Sequence, residues 1–478
     1  MGVDVKSNSR AMFGRRVIKS SAKEITVSNV VDEVQAAMNV HESNRGEIEY
    51  LWNYRNGNQP ILHRVKKNRP EICNKVVENH ANEIVAFKTG YLVGEPIQYV
   101  GRKKGKGVTK KIGTLNDFML LENKSAKDRE IVEWQMICGV GYRIVLPRKG
   151  NAEDHAPFEM YTLDPRDTFV VYSTDIGSKP LFAVKYSVDG TNNTKTFSVY
   201  TESTYFLIKD NTLLEARPHA MGAIPIIEYP ADSARLGSFE IVLPLLDAIN
   251  AIESNRVDGI EQFVQAFTKF VNCDISAEDF EKLRELGGIK VKSQDGQPAD
   301  VDIVSSELNQ TQSQTLKDDA YQMVLTICGI PNRNGGSSTS DTGQAVLLRD
   351  GWSLAEARAK DSENLFRPSE MEMLRLVLKI CSELSNLDIS LSDIEIKFTR
   401  RNYDNIQSKS QVLVSMLGQA KIHPKLAFEH CGMFSDPEAA YSISDKYYRE
   451  QLAEWEVEHQ KTLNEGDNDN GDGDLHES

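Results

Sequence analysis

Ile330-Pro331-Asn332-Arg333-Asn334-Gly335-Gly336-Ser337-Ser338-Thr339-Ser340-Asp341-Thr342-Gly343 is a loop by composition. Adjacent glycines and a run of hydroxyl side chains leave it no apolar residue to anchor, so a mobile, solvated segment is expected. Behind it, Ala345, Leu348, Trp352, Ala355, Ala359, Ser362, Phe366, Met373, Val377, Ile380 and Leu384 recur at steps of three and four. That spacing marks one face of a long helix. Pro368 lies inside the pattern, removes a backbone donor and predicts a kink. A flexible loop carried by a long kinked helix suits a protein whose loop must reach into open space.

Upstream, residues 1–25 carry Arg10, Arg15, Arg16, Lys19 and Lys23 and read as a flexible basic arm. Ser28 is a candidate cap for a helix ending near His41, and Ser43 for a second. Residues 71–90 have helical spacing, with His80 on the apolar face, and 91–100 read as a strand with a turn inside it. Residues 101–111 are basic and glycine-rich. They resemble a phosphate loop only superficially, because the spacing is one residue short and Gly107 stands where Ser or Thr belongs; a solvated hairpin tip is expected. Helical patterns follow at 115–122 and 127–137, then strands at 143–146, 168–172, 181–187, 196–200 and 204–208, closed by an apolar strand over 222–230.

The character changes at Ser238. Leu246, Ile249, Ile252, Val257, Ile260, Val264, Phe267 and Val271 predict one amphipathic helix through residue 271, with Asp247, Asn250, Ser254, Asp258 and Glu261 on its other face. A small α/β insertion, 274–305, precedes a second long helix over 307–327. A strand at 394–398, three helices within 404–461 and an acidic tail complete the chain. The aspartates of that tail do not make a calcium loop, since one begun at Asn468 runs past the last residue.

With 478 residues, 40% of them hydrophobic, the chain can build several packed layers. The formal charge of −14 argues against a protein that coats DNA by bulk attraction. No apolar run is long enough to cross a membrane. Six dispersed cysteines form no CxxC pair, so buried free thiols are expected. No HExxH, GxSxG, Walker lysine or Cys/His cluster appears, so neither catalytic residues, a metal nor a cofactor is expected.

Local strings give a resemblance. Asn74-Lys75-Val76-Val77-Glu78-Asn79, then Tyr91-Leu92-Val93-Gly94-Glu95-Pro96-Ile97, Phe169-Val170-Val171-Tyr172, Ile224-Pro225-Ile226-Ile227-Glu228-Tyr229, and Gly329-Ile330-Pro331-Asn332 leading into Gly343-Gln344-Ala345-Val346-Leu347 resemble, in that order, the portal proteins of long-tailed bacteriophages. The resemblance implies an α+β, multidomain fold that assembles as a ring, usually of twelve subunits. It implies a wing (26–236), stem helices (237–272 and 306–329), a clip (273–305), a tunnel loop (330–343), a kinked spine helix (344–385) and a helical crown (386–461). The acidic tail, 462–478, lies outside the resemblance and is expected from its composition to be disordered.

Such a ring would pass double-stranded DNA at one capsid vertex. Its partners would be the terminase large subunit, the tail adaptor, and the major capsid and scaffolding proteins; no membrane is implied. The resemblance assigns the DNA channel to Asn332, Arg333, Asn334, Gly335, Gly336, Ser337, Ser338, Thr339, Ser340, Asp341 and Thr342. It assigns the adaptor contact to Glu278, Glu281, Lys282, Lys290, Lys292 and Asp295. Two other classes fit the same composition: a helical scaffold that never touches DNA, and a DNA-processing enzyme.

Overall fold

The structure is a computed structural model. It describes residues 14–67, 69–102, 106–149, 155–264, 267–271, 273–274, 278, 292–293, 298, 300–304, 310–332, 351–400, 406–434 and 437–467.

Strands and helices divide between two apolar cores. In the first, β1 (Ile18–Ser20) lies parallel to β5 (Thr168–Ser173), and β5 starts an antiparallel meander through β6 (Pro180–Val188), β7 (Lys195–Tyr200), β8 (Thr204–Lys209) and β9 (Thr212–Pro218). Alternate residues Phe169, Val171, Phe182, Val184, Tyr186, Phe197, Val199, Phe206 and Ile208 face inward, as half-buried strands require. The first half of helix α1 (Val30–Arg55) covers them with Val30, Val34, Ala37 and Met38.

The second core is larger. It gathers the rest of α1, helices α2 (His80–Val93), α3 (Lys106–Leu121) and α4 (Lys124–Cys138), and a three-stranded sheet. That sheet runs β10 (Ile226–Pro230), β3 (Val140–Pro147), β4 (Phe158–Leu163). A short ribbon pairs β2 (Gln98–Gly101) with β15 (Ile394–Lys397).

From this body run α5 (Leu243–Val264) and α6 (Gln310–Cys328), packed on each other. Their far ends are bridged by antiparallel β11 (Phe267–Val271) and β14 (Asp300–Val304), with β12 (Cys273–Asp274) paired to β13 (Lys292–Ser293) beyond. Helix α7 (Trp352–Ser385) crosses the body with Pro368 inside it. Helices α8 (Ile406–Leu417), α9 (Pro424–His430) and α10 (Pro437–Asp467) end the described chain.

Several expectations need correction. Residues 14–25 are not a free arm: Arg15 is buried between Glu240 (2.9 Å) and Glu47 (3.1 Å), and β1 joins the sheet. One helix, not two, spans 30–55. The stripe Val34, Met38, His41, Ile48, Leu51 continues past exposed Ser43, and packing overrides its capping preference. The segment read as a strand with an internal turn splits into the end of α2 and β2. The expected basic hairpin tip gives way to α3 from Lys106, and β2 finds its partner near the far end of the chain. The helix predicted through residue 271 ends at Val264. Phe267–Val271 alternates as a strand instead, with β-formers on both sides of Lys269. Helix α10 continues to Asp467, so residues 463–467 are helix rather than tail. Strands β1, β4 and β9 had no counterpart in the sequence reading.

Candidate functional site

The loop quoted first is outside the described residues from Arg333 to Thr342; its base is described. Helix α6 ends in a six-residue closure. Gly329 adopts φ +68°, Ile330 N donates to Leu325 O at 2.9 Å, and Gly329 N donates to Thr326 O at 3.2 Å. Glycine is the residue that reaches this left-handed conformation without strain, and the following Ile330 is buried as the closure requires. Pro331, also buried, stops any continuation. Asn332 is then held against α6, its Nδ2 donating to Gln322 Oε1 at 2.7 Å.

The chain returns at Gly351, with φ +82°, where a Cβ would lie 3.8 Å from Pro331 Cα. The two ends of the intervening segment therefore stand side by side on one support. That support is aromatic and charged. Trp352 meets Phe87 and Tyr91 of α2 with centroids 6.2 and 6.0 Å away, and Tyr91 donates to Glu356 at 3.0 Å. Arg400 grips Glu356 with two hydrogen bonds (2.7 and 3.0 Å) and also pairs with Glu363. Burial raises the Glu356 carboxyl, but Arg400 outweighs it and holds it below the usual range.

A second device fixes α5 to the body. Residues 73–79, read from the sequence as helix, form none, and 74–78 run along α5 with alternate amides bonded to it. Asn250 Oδ1 accepts from Glu78 N (2.8 Å), Ser254 Oγ from Val76 N (3.0 Å) and Asp258 Oδ1 from Asn74 N (2.7 Å). Four helical residues rise about 6 Å and two extended residues span roughly 6.6 Å, so the two periods match. Of the polar face noted in the sequence, Asn250, Ser254 and Asp258 are buried and make these bonds, while Asp247 is half-buried and Glu261 exposed. Lys66 (2.9 Å) and Arg64 (3.2 Å) neutralise Asp258.

Beside this clamp, His80 sits between Glu83 (2.9 Å) and Glu78 (3.0 Å) and lies against the ring of Tyr321 on α6, 4.4 Å away. Both ring nitrogens can donate only when the imidazole is protonated. Burial opposes the charge, yet the two glutamates raise the His80 pKa above its ordinary value.

Two residues past Pro368, α7 delivers Glu370 into the interior. Its carboxylate meets Lys124 (2.6 Å), Arg143 (3.5 Å) and the hydroxyls of Tyr99 (2.5 Å) and Tyr229 (3.0 Å). Asp128 pairs with the same Lys124 (2.6 Å) and with Arg143 (2.5 Å). Two cations and two anions cancel. Burial pushes the Glu370 carboxyl up, and Lys124 and Arg143 outweigh that and keep it ionised.

Tyr99, Lys124 and Asp128 also line a cleft of about 1300 Å³ between α3, β2 and α10. This is the carboxylate pair that sequence reading missed, because Asp128 and Glu370 are far apart in the chain. Its charges are spent on each other, so it fixes this part of α7 to the body. Among the described residues no group of His, Cys, Asp and Glu is arranged to hold a metal, and no helix is long and apolar enough to cross a membrane.

Of the residues assigned to the adaptor contact, Glu278 is exposed and Lys292 lies in β13. Glu281, Lys282, Lys290 and Asp295 are outside the described residues, as are Arg333, Asn334, Gly335, Gly336, Ser337, Ser338, Thr339, Ser340, Asp341 and Thr342. Cys138, Cys328, Cys381 and Cys431 are free and buried, and Cys73 is free and half-buried.

The model of one protein family, the phage portal proteins of the SPP1 Gp6-like type, matches residues 37–465. The chain belongs to that family. Its fold is also similar to two solved structures. One is a chain from the neck of an empty GTA particle computed with C6 symmetry: TM-score 0.44, 12% identity, covering 74% of this chain and 90% of that one. The other is from the neck of a native GTA particle computed with C12 symmetry: TM-score 0.41, 13% identity, covering 74% and 89%. No individual curated protein matches the sequence.

Proposed function

We propose that this chain is one subunit of a ring, of twelve copies, at a single capsid vertex, through which duplex DNA enters during packaging and leaves at ejection. Residues 237–272 and 306–329 are the stem, 273–305 the clip that receives the tail adaptor, 26–236 the wing and 386–461 the crown. Residues 330–343 are the loop that touches the duplex, and 344–385 the helix that supports it. The terminase motor supplies the ATP chemistry for which this sequence has no motif.

The observation that carries the reading is the loop base: within a portal-family chain, an excursion starts and ends at one braced point, Pro331 beside Gly351. Neutral polar side chains suit sliding, since contact with the passing duplex must be weak and independent of sequence.

Ring formation has its own support. Ile260, Leu316, Met323 and Ile327 on α5 and α6 are exposed, as are Ile443, Tyr447, Tyr448, Leu452 and Trp455 along α10. Apolar surface of that extent is ordinarily covered by a partner. Each copy carries a formal −14, so salt should assist assembly by screening repulsion. Imaging of the purified particle at several salt concentrations tests this. Closed rings with an axial channel as wide as a duplex are expected; a stable monomer at every salt concentration would end the proposal.

A further inference from the structure

Two basic side chains stand at the foot of the loop without a carboxylate partner among the described residues. Lys88 projects from α2 next to Phe87, which packs on Trp352 at the start of α7. Its side chain is half-buried, and it makes no hydrogen bond or ion pair among the described residues. The titratable groups facing it are Cys328 at the end of α6 and Arg358 on α7. Arg358 crosses the same closure: its Cγ lies 3.1 Å, and its Nε 3.8 Å, from where a Gly329 side chain would begin. Arg358 has no ion pair among the described residues either, and the nearby Glu356 is already taken by Arg400 and Tyr91.

A lysine with a desolvated stem ordinarily pairs with a carboxylate or loses its charge. Burial, reinforced by the like charge of Arg358, does lower the Lys88 pKa. Elsewhere the fold neutralises its partly buried cations carefully: Arg15 with Glu240, Lys66 with Asp258, Arg400 with Glu356 and Glu363. Among the described residues, Lys88 and Arg358 therefore stand apart in having no carboxylate partner. Both residues lie where the loop leaves and rejoins the body.

We propose that Lys88 and Arg358 together form a binding point for a backbone phosphate of duplex DNA, one per subunit, at the foot of the loop. The inference rests on the channel reading above and adds to it a fixed electrostatic contact beneath a neutral one. Arg358 presents a planar fork of donors and Lys88 a compact ammonium, a pairing that grips a phosphate without reading sequence.

The test is the salt dependence of binding of a short fluorescent duplex to the assembled ring. Four rings are compared: wild type, Arg358→Gln, Lys88→Arg and the loop variant Ser338→Lys. Arg358→Gln changes an exposed position and should leave assembly intact. It should make the log–log slope of affinity against salt shallower by roughly one for each phosphate that is no longer neutralised. Lys88→Arg should keep the wild-type slope, and Ser338→Lys should steepen it.

If Ser338→Lys steepens the slope while Arg358→Gln leaves it unchanged, the channel reading stands and this site is wrong. If neither changes it, both fall. Loss of ring assembly in Arg358→Gln would also overturn the site, since its counter-ion would then be a carboxylate of a second copy. Inorganic phosphate that raises the melting temperature of wild type and not of Arg358→Gln, with duplex slopes equal, would assign the site to free phosphate and overturn it too.

Discussion

Helix α7 has two halves that differ in kind. Before Pro368, only Ala355, Ala359 and Phe366 are buried, and Leu354, Arg358, Lys360 and Leu365 face outward. After it, Ser369, Glu370, Met373, Leu374, Leu376, Val377, Leu378, Ile380 and Cys381 are all buried. The first half touches the body at a few aromatic and ionic points around the loop base. The second is fixed by close packing and by a buried network of two cations and two carboxylates. One helix is therefore anchored in the core at one end and stands beside the loop base at the other, with Pro368 between them. The lesson is that stability and function are separable along this element, and each half can be tested alone.

The largest effect belongs to the anchored half. Glu370→Ala leaves Lys124 and Arg143 facing a single carboxylate in the interior, which should cost about 3–5 kcal/mol. Chemical denaturation would read this; a loss below about 1 kcal/mol would mean that the network contributes little to anchoring this half of α7.

Acid should find the next weak point, in the smaller core. His41 is buried against Phe169, its Nε2 donating to Arg166 O at 3.2 Å, and burial lowers its pKa to about 4. The folded state holds it neutral while the unfolded chain protonates near 6.5, so stability should fall between pH 6.5 and 4 and level off below. That is worth roughly 3 kcal/mol. Asp247, raised to about 6 by burial, changes in the opposite direction. The measurement is therefore the stability difference between wild type and His41→Gln, which should shrink by that amount as pH drops from 7 to 4. A pH-independent difference would contradict it.

Smaller again is the clamp on α5. Ser254→Ala strands the buried Val76 N–H and should cost about 1–3 kcal/mol. Amide exchange at Val76 should quicken in the variant; unaltered exchange would mean that the ladder is incidental. At the bottom of the scale, Lys360→Gln on the outer half of α7 should stay within about 0.5 kcal/mol of wild type, as surface changes usually do.

Much of this architecture was legible in the sequence. The period-two run Lys195–Tyr200 and the helical stripe of α7 announced themselves, because burial on one face imposes a periodicity, and Thr168–Ser173 did so as a short apolar run buried on both faces. The misses have a common cause: a partner distant in sequence. Residues 74–78 have helical spacing, yet their backbone donors are taken by Asn250, Ser254 and Asp258. Arg15 looked like a tail residue because Glu240 lies far along the chain. Phe267–Val271 continued a helical stripe until Asp300–Val304 offered a ladder. At the loop base, Gly329-Ile330-Pro331 was a readable helix stop, whereas the approach of Gly351 to Pro331 was not. The loop's side chains were singled out by composition and by the resemblance, and from Arg333 onward they lie outside the described residues.

The most direct test removes residues 336–340 from the loop and measures DNA packaging and retention in heads. Little apolar area goes with them, so ring assembly and melting temperature should stay close to wild type. Retention of packaged DNA should nonetheless fall sharply. Heads that pack and retain DNA like wild type would show that this loop does not meet the duplex, and the channel assignment of 330–385 would have to be abandoned.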